Sequence, residues 1–389
     1  MSRSLVRFLF LGDPRTDRRI KNLISLFQDC NYEAELIFAT PGERKIDDLA
    51  IGGATAKQLF LEHSHGVKMF LQYDLLLKDE LRNAKRCDIL FACELYSLNA
   101  AATAKKDGAV RKLFYDAREL YTELPSVAKK FFKKWYWKRW ERKGLKQTDL
   151  LIVTAPDDVD AIRHVHHFLP PDIVIRNLPK KEELKPNTYL RDLYSISLNK
   201  KIFVYIGGLQ RDRGLERMID MMKSLQGEAV FVLIGNGASK ENLLKQCFEL
   251  DLRSSVFFHP SVESEKVVEV LSSGDIGISL IEEHSKSYAL ALPSKIFEYM
   301  LAGLPVISSP LKQVKDLFDK TEGILFARPD NPDELMEICR LAMAMSSDIR
   351  LKTKIYVEAY NHYTFEMDGE ALKNFITIHP ASSVTNPIQ

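Results

Sequence analysis

The chain has 389 residues, more than one ordinary hydrophobic core organises, and its 46% apolar and 28% charged content is the balance of a soluble globular protein. A formal charge of +2 excludes attraction of the whole molecule to nucleic acid or membrane and leaves that task to local patches. The five cysteines, Cys30, Cys87, Cys93, Cys247 and Cys339, contain no C-x-x-C pair, which argues against a disulfide framework or a cysteine zinc site and suits buried thiols in a reducing, cytoplasmic compartment.

The apolar run from Leu5 to Leu11 is short and interrupted by Arg7, so it reads as a first β-strand, not as a signal peptide or membrane span, and no other stretch reaches spanning length. Further β-branched or aromatic runs begin at Glu33, Asp88, Lys112, Leu150 and Asp172, separated by helical patterns. Between two of them, residues 125 to 146 (PSVAKKFFKKWYWKRWERKGLK) predict one helix. Helical stepping puts Leu124, Ala128, Phe131, Phe132, Trp135 and Tyr136 on an inward apolar side and leaves Trp137 outside among Lys130, Lys133 and Lys134. Such a basic face with an interfacial tryptophan suits an anionic membrane surface; the alternative is a solvated charged face with one stray aromatic. After Asn177 a charged stretch with Pro179 and Pro186 reads as an interdomain linker. Strands then resume at Lys201, Ala229, Ser255, Asp275, Leu304 and Gly323, and the last ten residues, PASSVTNPIQ, read as a frayed tail. Two groups of strands alternating with helices predict an α/β chain of two doubly wound, Rossmann-like domains, although strand count alone leaves an eight-stranded barrel open.

In open parallel sheets ligands bind beyond the carboxyl ends of the strands, so the turns there carry the chemistry. The first is GGLQRDRG, in which Gly207 and Gly208 bare a strand tip and Arg211 and Arg213 precede a helix starting near Leu215. Glycine admits a phosphate to the backbone and arginine clamps it through two hydrogen bonds; the alternative is a tight turn with solvated arginines. The second is LIGNG, with Asn236 and Gly237. In the third, LALPSKIFEYMLAGLPVISS, Ser294 reads as the cap of a helix that carries Lys295 in its first turn and Glu298 one turn on. Lys295 and the helix amides suit a diphosphate, and the carboxylate of Glu298 suits the two hydroxyls of a ribose.

These turns, in this order and spacing, resemble the C-terminal signature of retaining GT-B glycosyltransferases of glycosyltransferase family 4. The N-terminal half agrees: LGDPRTDRRI from Leu11 resembles that family's opening loop, ACELYSLNAAATAKK from Ala92 and YDARELYTELP from Tyr115 its acceptor-side segments, and TDLLIVTAPDDVDAI from Thr148 its last N-domain strand and helix. The resemblance implies a GT-B architecture, two Rossmann-like domains facing an interdomain cleft. Residues 1–182 would form the acceptor domain and residues 190–363 the nucleotide-sugar domain, with residues 364–389 a helix crossing back to the first domain plus the tail. It further implies transfer of a sugar from a nucleoside diphosphate sugar to a glycan or lipid-linked glycan, without metal, further cofactor or nucleic acid. Arg211, Arg213 and Lys295 would neutralise the diphosphate, Glu298 would hold the ribose, and Gly207, Gly208, Asn236, Gly237 and Ser294 would line the donor. Gly12 and Arg15 would complete the cleft, and Glu94, Arg118 and Glu119 would face the acceptor.

The departures bear on mechanism. Leu290 stands where the family has the first glutamate of a paired motif, Gly208 replaces a basic residue of the glycine turn, and Arg118 and Glu94 replace a histidine and an aspartate. Two alternatives stand beside this reading: another two-Rossmann sugar-nucleotide enzyme, a GT-B epimerase, and a non-catalytic glycosyltransferase-like subunit, the latter motivated by Leu290 and Arg118. Asp157, Asp158 and Asp160 read as a helix first turn favoured by the helix dipole. His63, His65, His164, His166 and His167 lack a third metal ligand in sequence.

Overall fold

The computed structural model describes residues 3–41, 50–284 and 286–378, and the expected tail from Pro380 lies outside them. The chain divides into two compact units, Met1–Asn177 with Phe365–Gln389 (unit 1) and Leu178–Thr364 (unit 2). Unit 1 begins with β1 (Ser4–Leu11), α1 (Arg18–Asp29), β2 (Tyr32–Thr40), β3 (Ala50–Ile51) and β4 (Ala54–Phe60). It continues with α2 (Gly66–Asn83), β5 (Cys87–Cys93), α3 (Leu95–Lys106), β6 (Val110–Ala117), α4 (Pro125–Ala128) and α5 (Phe131–Leu145). It closes with β7 (Leu150–Val153), α6 (Pro156–His166) and β8 (Asp172–Val174). The eight strands lie in the order β3-β4-β2-β1-β5-β6-β7-β8, parallel throughout except for the β3/β4 pair. Strands covered on both faces need continuous apolar runs, and β1, β5 and β6 have them. Phe8, Phe27, Phe91 and Phe114 make the centre, with Phe8 and Phe91 ring centroids 5.0 Å apart.

Unit 2 runs α7 (Tyr189–Tyr194), β9 (Lys201–Ile206), α8 (Leu215–Ser224), β10 (Ala229–Ile234), α9 (Lys240–Glu249), β11 (Val256–His259), α10 (Val267–Leu271) and β12 (Ile276–Ser279). It goes on with α11 (Lys286–Ala289), α12 (Ser294–Leu301), β13 (Val306–Ser308), α13 (Lys312–Phe318), β14 (Ile324–Phe326), α14 (Pro332–Met345) and α15 (Ile349–His362). Its six strands are all parallel, in the order β11-β10-β9-β12-β13-β14. The last helix, α16 (Phe365–Ile378), packs on α1 and β8 of unit 1, where Gly369 admits the side chain of Leu26.

All twelve strands expected from sequence are present, and two more, β3 and β4, lie where none was expected. The stretch read as a bare linker contains α7, whose Leu190 is fully buried, and Asn187 hydrogen-bonds the Glu269 carbonyl at 2.7 Å, so it is folded onto unit 2.

The single helix expected over residues 125 to 146 is instead two, broken at Lys129 and Lys130, and its inward face is the opposite of the expected one. Trp137 is 2% exposed and meets the rings of Phe70 and Tyr96 at centroid distances of 5.5 and 5.4 Å. Phe131, Phe132 and Trp135 stand 76%, 83% and 57% exposed. The phase is set by α3, since Gly144 has no room for a Cβ against Leu98 and must face inward, which brings Trp137 and Glu141 in with it. Trp137→Ala is therefore expected to cost about 3–5 kcal/mol in chemical denaturation, whereas Trp135→Ala is expected to change stability by no more than about 0.5 kcal/mol. Equal costs for the two would contradict this phase.

Candidate functional site

In unit 2 the chain winds outward from β9 in both directions, so the topological switch point lies between β9 and β12. The β9/β12 ladder stops at Gly277↔Val204, beyond which the two strands part. The hydroxyl of Tyr299 on α12 spans the opening, accepting from the Ile206 amide and donating to the Ile278 carbonyl, each at 3.0 Å. Gly277 makes room for that ring, since a Cβ there would overlap it. Tyr299 thereby fixes where the start of α12 meets the tip of β9.

Gly207 follows β9 with φ of +127°, a conformation for glycine, and a Cβ on Gly235 would overlap the Gly207 carbonyl oxygen. Gly237 is pressed in the same way against the backbone of Leu209, whose amide donates to the Asn236 carbonyl at 3.0 Å. The turns of Gly207–Gly208 and Gly235–Gly237 therefore form one backbone surface without side-chain cover. Tyr205, at the end of β9, donates to the Gly208 carbonyl at 2.8 Å, and the Lys295 ammonium lies 3.8 Å from the centroid of its ring. The Arg213 guanidinium stacks 5.1 Å from the centroid of Tyr288. Burial first, and the Arg213 charge second, push the Lys295 ammonium down to about 7, against the pull of Glu298.

Of the residues expected at a donor site, the structure thus gathers Gly207, Gly208, Lys295, Arg213 and Glu298, with Asn236 and Gly237 in the adjoining turn. Arg211 is exposed in the same turn. Ser294 is not the cap: Pro293 occupies that position, Ser294 is the first helical residue, and no side chain caps the helix. Leu290, in the place of the family's glutamate, offers its carbonyl to Gln313. Sequence reading missed Tyr205 and Tyr288, whose rings meet Lys295 and Arg213, and Tyr299, which braces the two strands. It also passed over Asp212, Glu282 and His284, whose ligand atoms lie within 4.8 Å of one another. His284 Nε2 is 2.9 Å from Glu282 and 3.6 Å from Asp212.

The switch point of unit 1 lies between β1 and β5. There the Glu94 carboxyl spans the strands and accepts from the Leu11 amide at 2.6 Å. Glu94 holds φ of +107°, strained for a residue with a side chain, and its burial drives the carboxyl well above the usual carboxylate range. Arg118, at the tip of β6, donates to Asp17 at 2.6 Å and to Asp116 at 3.0 Å, and stacks 5.1 Å from the centroid of Phe10. Asp116 is fully buried; burial opposes its ionisation, but the Arg19 and Arg118 guanidiniums prevail and hold it below its ordinary range. The structure thus brings Glu94 and Arg118 together at the strand tips beside Gly12, whose amide is tied to the Ala39 carbonyl at 2.8 Å. Arg15 is folded back onto Asp13 at 2.7 Å, and Glu119 is exposed. Asp157 and Asp158 lie in the first turn of α6, and Asp160 pairs with Arg163.

Residues 190–360, which contain every unit 2 residue of this constellation, match the family described as Glycosyl transferases group 1. Over half of the chain (54%) the sequence is 23% identical to chitobiosyldiphosphodolichol beta-mannosyltransferase of Candida albicans, covering 46% of that protein. It is 30% identical over 40% of the chain to a putative colanic acid biosynthesis glycosyl transferase of Escherichia coli, covering 39% of it. The chain thus spans less than half the length of these curated relatives. The fold is similar to that of sucrose-phosphate synthase from Thermosynechococcus elongatus, with a TM-score of 0.82 at 15% identity over 98% of this chain and all of that one (100%). It is also similar to Anabaena HepE in complex with UDP and glucose, with a TM-score of 0.73 at 14% identity over 96% and 99% of the two chains. These likenesses establish the GT-B fold of two parallel-sheet α/β domains.

A lysine pushed down to about 7 makes any anion binding at this turn depend on pH. The Lys295 ammonium sits at about 7, so above that pH the free protein must take up a proton to present the charge. Affinity for a nucleoside diphosphate, measured by calorimetry, is expected to fall as pH rises from 7 to 9, approaching about tenfold per pH unit, and to flatten in Lys295→Gln. A profile already flat in the unmodified protein would remove Lys295 from the site.

Proposed function

We propose that the protein is a retaining glycosyltransferase that moves a hexose-like unit from a nucleoside diphosphate sugar to a hydroxyl of a glycan or lipid-linked glycan, without metal or cofactor, on the cytoplasmic side of a membrane. One observation carries this reading: Lys295 and Arg213 converge on the uncovered backbone of Gly207–Gly208 at the switch point of unit 2, with Glu298 one helical turn further. Two cations at an exposed glycine turn suit a diphosphate, and a carboxylate beside them suits a ribose. The names of relatives support the donor and acceptor classes, since HepE was crystallised with UDP-glucose and the Escherichia coli relative is named for colanic acid biosynthesis.

The bond that breaks joins the anomeric carbon to a diphosphate oxygen, and the negative charge that develops on that oxygen is what Arg213, Lys295 and the exposed Arg211 would stabilise. The acceptor oxygen bonds to the anomeric carbon from the face the diphosphate leaves, and its proton passes to the departing phosphate oxygen. On this reading Glu94, Arg118 and Glu119 of unit 1 hold the acceptor and do not act as nucleophile. Because protein cations neutralise the diphosphate, metal is dispensable.

Arg213→Ala is expected to weaken both donor and free nucleoside diphosphate by roughly 1.5–3 kcal/mol, the loss of a charge-assisted hydrogen bond. Unchanged diphosphate affinity would place the clamp elsewhere. Glu298→Gln is expected to reduce the preference for ribonucleotide over 2′-deoxyribonucleotide donors without lowering the melting temperature. Turnover in excess chelator is expected to be undiminished, and NMR of the product should show the donor's anomeric configuration. Inversion would refute retention while leaving transferase activity in place.

A further inference from the structure

Every exposed side chain from Lys129 to Lys146 is aromatic or cationic. Phe131, Phe132 and Trp135 occupy the first turns of α5, and Arg139, Arg142 and Lys143 continue the same outward arc. The only acid of the helix, Glu141, is buried and consumed by Tyr115 and His166, each at 2.9 Å. Three large aromatic rings held in water on one stretch of helix have no role in the core of unit 1, whose inward face is supplied by Trp137, Glu141, Gly144 and Leu145. Each such ring offers on the order of 150–250 Å² for burial, so together they reach the size at which an exposed apolar patch marks an interface.

The surroundings enlarge the patch. Helices α2 and α5 both pack on α3, and right-handed crossovers put all three on the same side of the sheet. The outward faces of α2 and α5 therefore look in the same direction. On α2 that face carries Val67, Leu71 and Leu75, exposed at one-turn spacing. Phe70, between these rows, meets the ring of Trp137, which sets the N-terminal halves of the two helices at one level.

We propose that this face of α2 and α5 docks on an anionic lipid bilayer, with Phe131, Phe132 and Trp135 entering the headgroup boundary and Arg139, Arg142 and Lys143 meeting the headgroups. Charge complementarity selects the occupant. A second copy of the chain would set this uncompensated cationic arc against itself, whereas anionic headgroups neutralise it and accept interfacial aromatics. No helix among the described residues is long and apolar enough to cross a membrane. The face is the opposite of the one expected from helical stepping, in which Trp137 was to insert. The inference deepens the proposed function by naming the surface at which a lipid-linked acceptor is met, and it rests on that reading only for this role.

The test uses the full chain and sedimentation with phosphatidylcholine vesicles, with and without phosphatidylglycerol. Binding is expected only to the phosphatidylglycerol vesicles and to weaken with salt. Replacing Arg139, Arg142 and Lys143 by Ser should lower affinity at low salt by about a hundredfold, near fivefold or 1 kcal/mol per cation. Phe131→Ser with Phe132→Ser and Trp135→Ser should abolish binding while preserving the melting temperature and turnover of a short soluble acceptor. Indifference of the unmodified protein to anionic vesicles at low salt would overturn the proposal, as would equal binding by the triple aromatic variant. A dimer that this variant dissociates, without lipid binding by the parent, would overturn it in favour of a second copy. Vesicle binding as expected from a protein that turns over no nucleoside diphosphate sugar would leave the docking face standing and refute the proposed function.

Discussion

A parallel sheet wound outward from its middle must part its strands at the point where the winding reverses, and the backbone groups freed there need partners. Both units of this protein meet that demand with a side chain instead of a strand. In unit 2 the Tyr299 hydroxyl joins the Ile206 amide to the Ile278 carbonyl; in unit 1 the Glu94 carboxyl takes the Leu11 amide. Each residue follows from, and fixes, the helix it starts or sits on. Tyr299 sets the register of α12 against β9, and with it the positions of Lys295 and Glu298. Glu94 is the N-cap residue of α3, and its strained backbone turns the chain from β5 into that helix.

Around the unit 2 opening the glycines act through what they omit. Because a side chain on Gly235 or Gly237 would overlap the neighbouring turn, the tips of β9 and β10 close against each other by backbone alone. Lys295 then has an aromatic face, not a carboxylate, as its nearest partner, and Arg213 raises the cost of its charge. Two cations held close with little compensation are unfavourable in the free protein, and an anion between them relieves that cost. The same arrangement that depresses the lysine therefore makes the site selective for multiply charged ligands over neutral ones.

Strand alternation made the two sheets legible in sequence because buried parallel strands such as FVYI and VFVLI admit almost no polar residue. The strand β4 was not, since ATAKQLF mixes Ala, Thr and Lys and carries little apolar signal. The constellation of Gly207, Arg213, Lys295 and Glu298 was legible because each residue lies in a local turn-and-helix pattern. Its supports were not: Tyr299 meets residues 93 and 21 positions away, and Asp212 meets Glu282 and His284 across some seventy positions. The phase of α5 was illegible for another reason. Aromatic residues occur all round that helix, at Phe131, Phe132, Trp135, Tyr136, Trp137 and Trp140, so periodicity offers no single inward side. Only Leu98 of α3, and the rings of Phe70 and Tyr96, decide which of them are covered.

The replacement of a histidine by Arg118 in the unit 1 motif has a structural consequence that constrains the chemistry. Arg118 bonds to Asp17, the cap of α1, and to Asp116, which Arg19 also holds, so four alternating charges lock the start of α1 to the tip of β6. A guanidinium so placed keeps its proton at any physiological pH and cannot exchange one with a substrate. Beside it, burial pushes the Glu94 carboxyl well above the usual carboxylate range, against the pull of the Arg118 charge and the Leu11 amide. These strand tips thus pair a guanidinium whose charge two carboxylates hold with a carboxyl whose charge burial opposes.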